Sequence, residues 1–403
     1  MKTTYLLLCL LGIGSVSGAG QTKQPQKIGD FIESTSYNEH RRNATRSLQY
    51  TPDGDDFVCI NGKNRFTRAL YGSHTAFRLE TSDRPVFAAY TKENPKHICF
   101  KLQTSGGTVA LDSTEHCESR YTAGRRSYSL SDPAFGGGSL SITTWALPDK
   151  EGAIWQFNAR NFKEFHPVLL ASISEIRNSK LNRNGDMGAD PADSFEAPLQ
   201  PQQLQSFPVQ IDGTLYILLE NQELRTLTTA EGENLFKKAE AARSETASRI
   251  RIETPDPYFN TLGGTLAMAA DGIWDGEVWL HGAIGWRMPL SGWRAAYTGD
   301  VLGWHDRART HFNAYAASQV TEVPNTFPHP AQDSALHLAR SVKKWGTPQY
   351  SNGYICRNPH RNNQMHHYDM NLCYIDELLW HFKWTGDLDY VRQMWPVITR
   401  HLT

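Results

Sequence analysis

The sequence predicts a two-part β + α protein, an antiparallel β-sandwich followed by an array of paired helices. Three observations carry that prediction. Residues 51–228 are cut into short runs rich in Val, Ile, Phe, Tyr and Thr, each bounded by Gly, Asn, Asp or Pro, which is the punctuation of strands. After Pro257 the apolar spacing changes to three and four, the helical period. Between the two, TAEGENLFKKAEAARSETASRIRIE (229–253) is charged and has few apolar positions, as suits a helix that bridges two bodies.

Residues 1–19 begin with Lys2, carry an apolar stretch from Tyr5 to Ile13 and close on Ser17-Gly18-Ala19. This reads as a secretory signal peptide whose apolar part is too short to span a bilayer. No other stretch nears the roughly 18 apolar residues of a membrane helix. The expected protein is therefore exported, periplasmic or extracellular, with no membrane span. Residues 20–50 are polar and read as a flexible leader.

The strand runs of the 51–228 domain are FVCING, AFRLET, VFAAYT, HICFKLQ, GGTVALDS, SLSITTWALP, AIWQFNA, VLLASISEI and TLYILLEN. A polar insertion at 182–205 reads as a surface loop. Its Asp186, Asp190 and Asp193 lack the closing glutamate of a calcium loop, so no metal is expected there. Pro255 and Pro257 end the linker helix of 229–255. In the 256–403 domain, Leu262, Leu266, Ala269 and Ala270 mark one helix, and a second is expected over 301–317. YDMNLCYIDELLWHFKWTGDLDYVRQMWPVITRHL supplies two more, the first with a stripe of Leu372, Ile375, Leu378, Leu379 and Phe382. Gly386 is placed to close a helix in the left-handed conformation and Asp387 to cap the next. Tyr297-Thr298-Gly299-Asp300 reads as the same device, so the helices are expected as α-hairpins.

Composition narrows the function classes. Lys plus Arg total 41 against 42 Asp plus Glu, so no basic field attracts nucleic acid. Cys59, Cys99, Cys117, Cys356 and Cys373 remain beyond the signal peptide, an odd number without CxxC spacing, which describes neither a disulfide scaffold nor a zinc site. Nothing implies a cofactor, and nothing specifies an oligomeric state.

One stretch concentrates aromatic and charged side chains: WDGEVWLHGAIGWRMPLSGWR, residues 274–294. The spacing of Trp279, Trp286 and Trp293 fits a helix face, but Gly282, Gly285, Pro289 and Gly292 argue against one unbroken helix. This stretch, the TGD hairpins and the β-domain placed first resemble the six-hairpin glycosidase superfamily, and the chain looks like glycosidase-like proteins of gut Bacteroidetes. The resemblance implies a fold in which twelve helices close into an (α/α)6 barrel, with the Trp-Asp segment near the sugar. A barrel of twelve helices needs far more chain than residues 256–403. The resemblance thus predicts an incomplete barrel here, with one carboxylate of a catalytic pair expected on a later hairpin.

Glycoside hydrolysis commonly needs two carboxyl groups, one to protonate the leaving oxygen and one opposite it as base or nucleophile. Asp275 and Glu277 are the first candidates, because Trp274 and Trp279 beside them are expected to withdraw them from water. In the resembling families the aspartate of Trp-Asp binds sugar hydroxyls. Asp369, in His366-His367-Tyr368-Asp369-Met370-Asn371, is the third candidate, at a helix start where a carboxylate also serves as a cap. Trp274, Trp279 and Trp286 are expected to stack on sugar rings, joined in substrate binding by His281, Arg287, His366, His367, Tyr368 and Asn371. Trp380, Trp384 and Trp395 are assigned to the core. The leading expectation is a secreted glycoside hydrolase acting on a plant or host glycan. The alternatives are a polysaccharide lyase using Tyr368, His366, Asn371 and Arg361 on a uronate, and a glycan-binding protein without catalysis.

Overall fold

The strand-rich half folds into two antiparallel sheets whose inward faces share one core. The computed structural model describes residues 50–402 except 64–67, 73, 75, 91–95, 163–166, 176–203, 211, 283–287, 293, 323–326, 329–343, 346–351 and 361–367. The signal peptide, residues 20–49 of the leader, and Asp186, Asp190 and Asp193 of the insertion lie outside the described residues.

The eight-stranded sheet runs in space Thr51–Asp53, Asp56–Ile60, His116–Thr122, Arg125–Ser131, Ser139–Ala146, Gly152–Arg160, Thr214–Glu220, Glu223–Leu227. The seven-stranded sheet runs Leu204–Pro208, Val168–Glu175, Lys96–Thr104, Val86–Tyr90, Arg78–Thr81, Arg68–Tyr71, with Gly107–Ala110 paired to Lys96–Thr104 off this path. Alternation puts every second side chain inside. Phe87 and Phe100 of one sheet meet Trp155 of the other at ring distances of 5.4 and 5.7 Å, and Phe100 meets Phe157 at 5.0 Å. Two central strands, His116–Thr122 and Arg125–Ser131, are absent from the sequence reading because their outward residues are polar. Their inward residues Cys117, Tyr121, Tyr128 and Leu130 are core. Arg126 is also turned inward, and it donates to the Ser82 carbonyl and to the Tyr50 hydroxyl, which settles its buried charge.

Helix α1, Thr229–Ala247, begins with a reciprocal capping box between Thr228 and Glu231. Leu235, Phe236 and Ala239 form its short apolar stripe, which packs on Trp145, Ile154, Tyr216 and Leu218 outside the larger sheet. Gly232 lies so close to Tyr216 that a Cβ there would stand 2.2 Å from the ring. The C-terminal end of α1, at Ala247, meets α3, Leu262–Gly272, which follows the short α2, Pro257–Asn260. The linker helix therefore ties the sandwich to the helices, and both belong to one compact unit.

Helix α3 exists where the periodicity places it, but it packs through a different face. Gly263, Ala267, Met268 and Ala270 are buried, whereas Leu262 and Leu266 are exposed. Small residues let the backbone approach closely: a Cβ on Gly263 would lie 2.7 Å from the Ile250 carbonyl. Next come α4 (Tyr297–Val301), α5 (His305–Ala316), α6 (Tyr368–Thr385) and α7 (Leu388–Leu402). Their core holds Trp274, Trp279, Phe312, Tyr315, Tyr374, Leu378, Tyr390 and Met394.

The two TGD sequences do different work. Gly386 takes φ 63° and ends α6, while Asp387 Oδ1 accepts from the amides of Asp389 and Tyr390, both at 3.0 Å, to start α7. This is the expected hairpin. Gly299 instead lies inside α4, where a Cβ would meet Trp279 at 2.4 Å, and the left-handed turn falls at Gly303. Asp300 is buried between His305 and His381, with Nδ1 to Oδ1 distances of 2.7 and 2.9 Å. Trp380, Trp384 and Trp395 are not core: they are 45%, 54% and 55% exposed, alongside Leu372, Leu379 and Leu388. Helices α6 and α7 bury the faces carrying Tyr374, Leu378, His381, Tyr390 and Met394, and the indoles fall on the opposite ones.

Candidate active site

The WDGEVWL stretch is a tight β-turn leaving α3, not a helix. Trp274 and Trp279 form an antiparallel bridge, closed by bonds from the Asp275 amide to the Val278 carbonyl (3.2 Å) and from the Leu280 amide to the Ile273 carbonyl (2.9 Å). Gly276 supplies φ 100°, a conformation that a side chain would strain. Asp275 Oδ1 locks the turn by accepting from the amides of Glu277 (3.0 Å) and Val278 (2.8 Å). A second bridge, Leu280 to Pro289, extends the ribbon.

This geometry corrects the expected role of two tryptophans. Trp274 and Trp279 are 3% and 1% exposed, lie 4.7 Å apart ring to ring, and pack in the helical core. Neither offers an indole face to a sugar. Asp275 and Glu277 remain partly exposed between them in sequence, on the rim of the turn. Glu277 pairs with Nε2 of His360 at 2.5 Å. Trp286, Arg287, His366 and His367 lie outside the described residues, as does the Tyr368 side chain.

His281 is half-buried, and burial followed by the nearby Arg357 guanidinium pulls its pKa below the usual imidazole value. Asn371 is also corrected. It is buried, and its amide accepts from the Ile355 amide (2.7 Å) and donates to the Ile355 carbonyl (3.1 Å), pinning the 354–356 segment to α6. With both ends of its amide used, it is a structural residue. Asp369 is exposed in the first turn of α6, and its charge reaches Cys373 a turn further on.

The residue that sequence reasoning missed is Glu377. It sits on the face of α6 that carries Asn371, Tyr374 and His381, and only 2% of it is exposed. Among the described residues, neither carboxylate oxygen has a hydrogen-bond partner. The backbone at Arg294 points toward it without meeting hydrogen-bond geometry, and Arg294 itself is held at φ 66°. A Cβ on Gly292 would lie 1.9 Å from the Met370 carbonyl, so this loop is pressed directly against α6. Burial pushes the Glu377 pKa up to about 8; the Arg294 backbone and guanidinium oppose the shift, and Asp376 adds to it. Asp376 itself, one position earlier, is exposed and accepts from the Tyr297 hydroxyl.

Tyr315 of α5 joins these groups. It is fully buried, and among the described residues its hydroxyl has no hydrogen-bond partner. Its pKa is driven well up, first by burial and then by the charges of Asp275, Glu377 and Glu277, against a pull from Arg357. Carboxylates from the turn and from α6 thus act on one phenol, with Arg357 and His360 close by. His311, fully buried beneath, accepts the Trp279 amide on Nδ1 at 3.1 Å; burial drives its pKa down to about 3, which keeps it neutral.

Among the described residues no group of His, Cys, Asp and Glu is arranged to hold a metal. The five described cysteines are all free thiols. A separate cleft of about 190 Å³ lies between the sandwich and α1, α3 and α5. Of its charged side chains, Arg307 pairs with Asp271 at 2.7 Å, Arg243 pairs with Glu240 at 2.6 Å, and Arg249 donates to the Leu302 carbonyl at 2.9 Å.

The fold and the site together define a β + α chain with a carboxylate-rich cluster in its helical half, and no described helix is long and apolar enough to cross a membrane. Residues 95–249 match a family described as a domain of unknown function, DUF4450. The match runs from the strand Lys96–Thr104 through α1 and stops short of the cluster. No curated protein matches the chain.

Proposed function

We propose that this chain is an exported glycoside hydrolase, built on the plan of the six-hairpin superfamily, that works on a plant or host glycan from the partly exposed carboxylates of the turn between Trp274 and Trp279. The observation that carries the reading is a pair of partly exposed carboxylates on one tight turn, Asp275 bonded to the Glu277 and Val278 amides and Glu277 paired with His360. Carboxylates in unlike surroundings are what acid/base cleavage of a glycosidic bond requires. Asp275 is held in one orientation by two backbone amides, and the partly exposed Glu277 is held by an imidazole. The exposed indoles of α6 and α7 suit an array in which further hairpins pack on them, so the incomplete-barrel reading is kept as part of this proposal. The lyase reading loses Asn371 to its structural role.

The test is release of reducing sugar from a panel of plant and host polysaccharides by the full chain and by Asp275→Asn. The variant is expected to lose about 10²–10⁴-fold in turnover. Normal turnover in Asp275→Asn would remove Asp275 from the mechanism. Binding of glycans with no release by the wild type would favour the non-catalytic alternative.

A further inference from the structure

We propose that the cleft between the sandwich and the helices is a binding site for a single sugar acid, a hexuronate held by its carboxylate on Arg249 and by its hydroxyls on Glu245. The proposal goes beyond the hydrolase reading and does not depend on it, since neither Asp275 nor Glu277 lines the cleft.

Both sheets, α1, α3 and the start of α5 contribute to its walls, so the cleft is shaped by elements that the fold holds in place. Its volume of about 190 Å³ is the space of about six waters at ~30 Å³ each. That is below the roughly 300–1,000 Å³ of drug-sized pockets and suits one sugar ring. The Trp304 ring carries two guanidiniums, Arg307 at 4.3 Å and Arg249 at 5.1 Å. Asp271 neutralises Arg307, and Glu240 neutralises Arg243. Arg249 differs from both. Among the described residues it has no carboxylate partner, and only its Nη1 is committed, to the Leu302 carbonyl. Glu245, on the last turn of α1, also lines the cleft, and its carboxylate has no partner among the described residues.

These two uncommitted groups define the ligand. A guanidinium with a free edge matches a carboxylate through two parallel hydrogen bonds, and the indole beside it holds its plane. Glu245 only accepts hydrogen bonds and repels a second negative charge, so the rest of the ligand must donate, as hydroxyls do. In the lining, Arg243, Arg249 and Arg307 against Glu245 and Asp271 leave a surplus of one positive charge, while Arg125 and Glu240 behind it offset each other at 3.2 Å. One carboxylate balances that surplus, and a phosphate dianion exceeds it. An apolar ligand gains little, because the indoles of the wall are already covered: Trp145 is 1% and Trp304 6% exposed.

Isothermal titration of the full chain at low salt tests the assignment. The probes are glucuronate and galacturonate, with glucose and galactose lacking the carboxylate and acetate lacking the ring. Wild type should bind at least one hexuronate about 10–100-fold more tightly than its neutral sugar and than acetate, the value of a charge-assisted bidentate contact. Arg249→Met keeps the stem beside Trp304 and removes the fork, and it should lose that same about 10–100-fold on the hexuronate. Arg249 is exposed, so the variant should keep the circular dichroism spectrum of wild type. Ala242→Phe fills the cleft from α1 and should abolish binding. Wild type that binds no hexuronate, or binds acetate or the neutral sugar equally well, overturns the proposal even if a variant fails to fold. Unchanged binding in Arg249→Met or Ala242→Phe overturns it as well, by placing the ligand elsewhere. Release of reducing sugar by wild type is a separate readout, so the hydrolase reading survives or fails independently of these outcomes.

Discussion

Glu377→Gln carries a stability prediction that needs no substrate. In the unfolded chain this carboxyl titrates near 4.5, and in the fold burial raises it to about 8. Because the folded value is the higher one, the folded state holds an extra proton between these limits. The stability linked to Glu377 is then fully present below pH 4.5 and falls with rising pH until about 8. Each unit is worth about 1.4 kcal/mol. From pH 6 to pH 8, wild type should therefore lose about 2 kcal/mol relative to Glu377→Gln.

His311 works in the opposite sense. Burial lowers it from 6.5 to about 3, so the unfolded chain takes up this proton first and stability drains away as pH falls below 6.5. The two slopes cancel between about pH 4.5 and 6.5, and above that range only the Glu377 slope remains. The variant should keep the acid-side decline and lack the alkaline one. Urea unfolding followed by circular dichroism, at half-unit steps from pH 5 to 9, gives the difference between the two proteins directly. A difference that stays constant across that range would refute the claim that Glu377 folds as a neutral acid.

Two further substitutions probe the scaffold. Gly386→Ala puts a side chain at φ 63°, with no atom within 4 Å to clash or compensate, so the loss should be purely conformational, about 1 kcal/mol; an unchanged unfolding midpoint would mean that the α6–α7 turn is not fixed in this conformation. Asp271→Asn removes the countercharge 2.7 Å from Arg307, whose guanidinium lies 4.3 Å from the Trp304 ring. Arg307 is 24% exposed, so the expected loss is about 2 kcal/mol, below the ~3–5 of a fully buried pair. A double-mutant cycle with Arg307→Met checks it, and additive effects would show no coupling.

The strands were the most legible part of the sequence. Each of the nine apolar runs quoted from the 51–228 region corresponds to a strand, from Asp56–Ile60 to Thr214–Glu220. The omitted central pair was hidden by outward Glu118, Arg120 and Ser129, which dilute the apolar pattern of strands that are core on their other face. Helices were legible as helices, but not by face. Periodicity fixes which residues share a side without saying which side finds a partner: Leu262, Leu266, Leu372 and Leu379 lie on the apolar stripes that mark their helices and yet are exposed. Trp274 and Trp279 were placed against sugar because glycines and charges surround them in sequence; the tight turn sends those charges outward and both indoles inward. Glu377 was passed over because IDELLW looks like surface acid. Its signal was the spacing Asn371, Tyr374, Leu378, His381, which marks the packed face of α6 and carries Glu377 with it.

The turn between Trp274 and Trp279 has a consequence for how this protein can change over generations. Its inward residues fill the helical core, and its outward residues are two partly exposed carboxylates, each next in sequence to a core side chain. Selection on one is therefore inherited by the other. A core replacement near Gly299 or His311 that leaves stability untouched still tilts the Trp279 seat, and with it the aim of Asp275 and Glu277. Tolerance in this corner should be narrower than burial alone would set, and lineages that acquire a new ligand should show paired changes in core and rim.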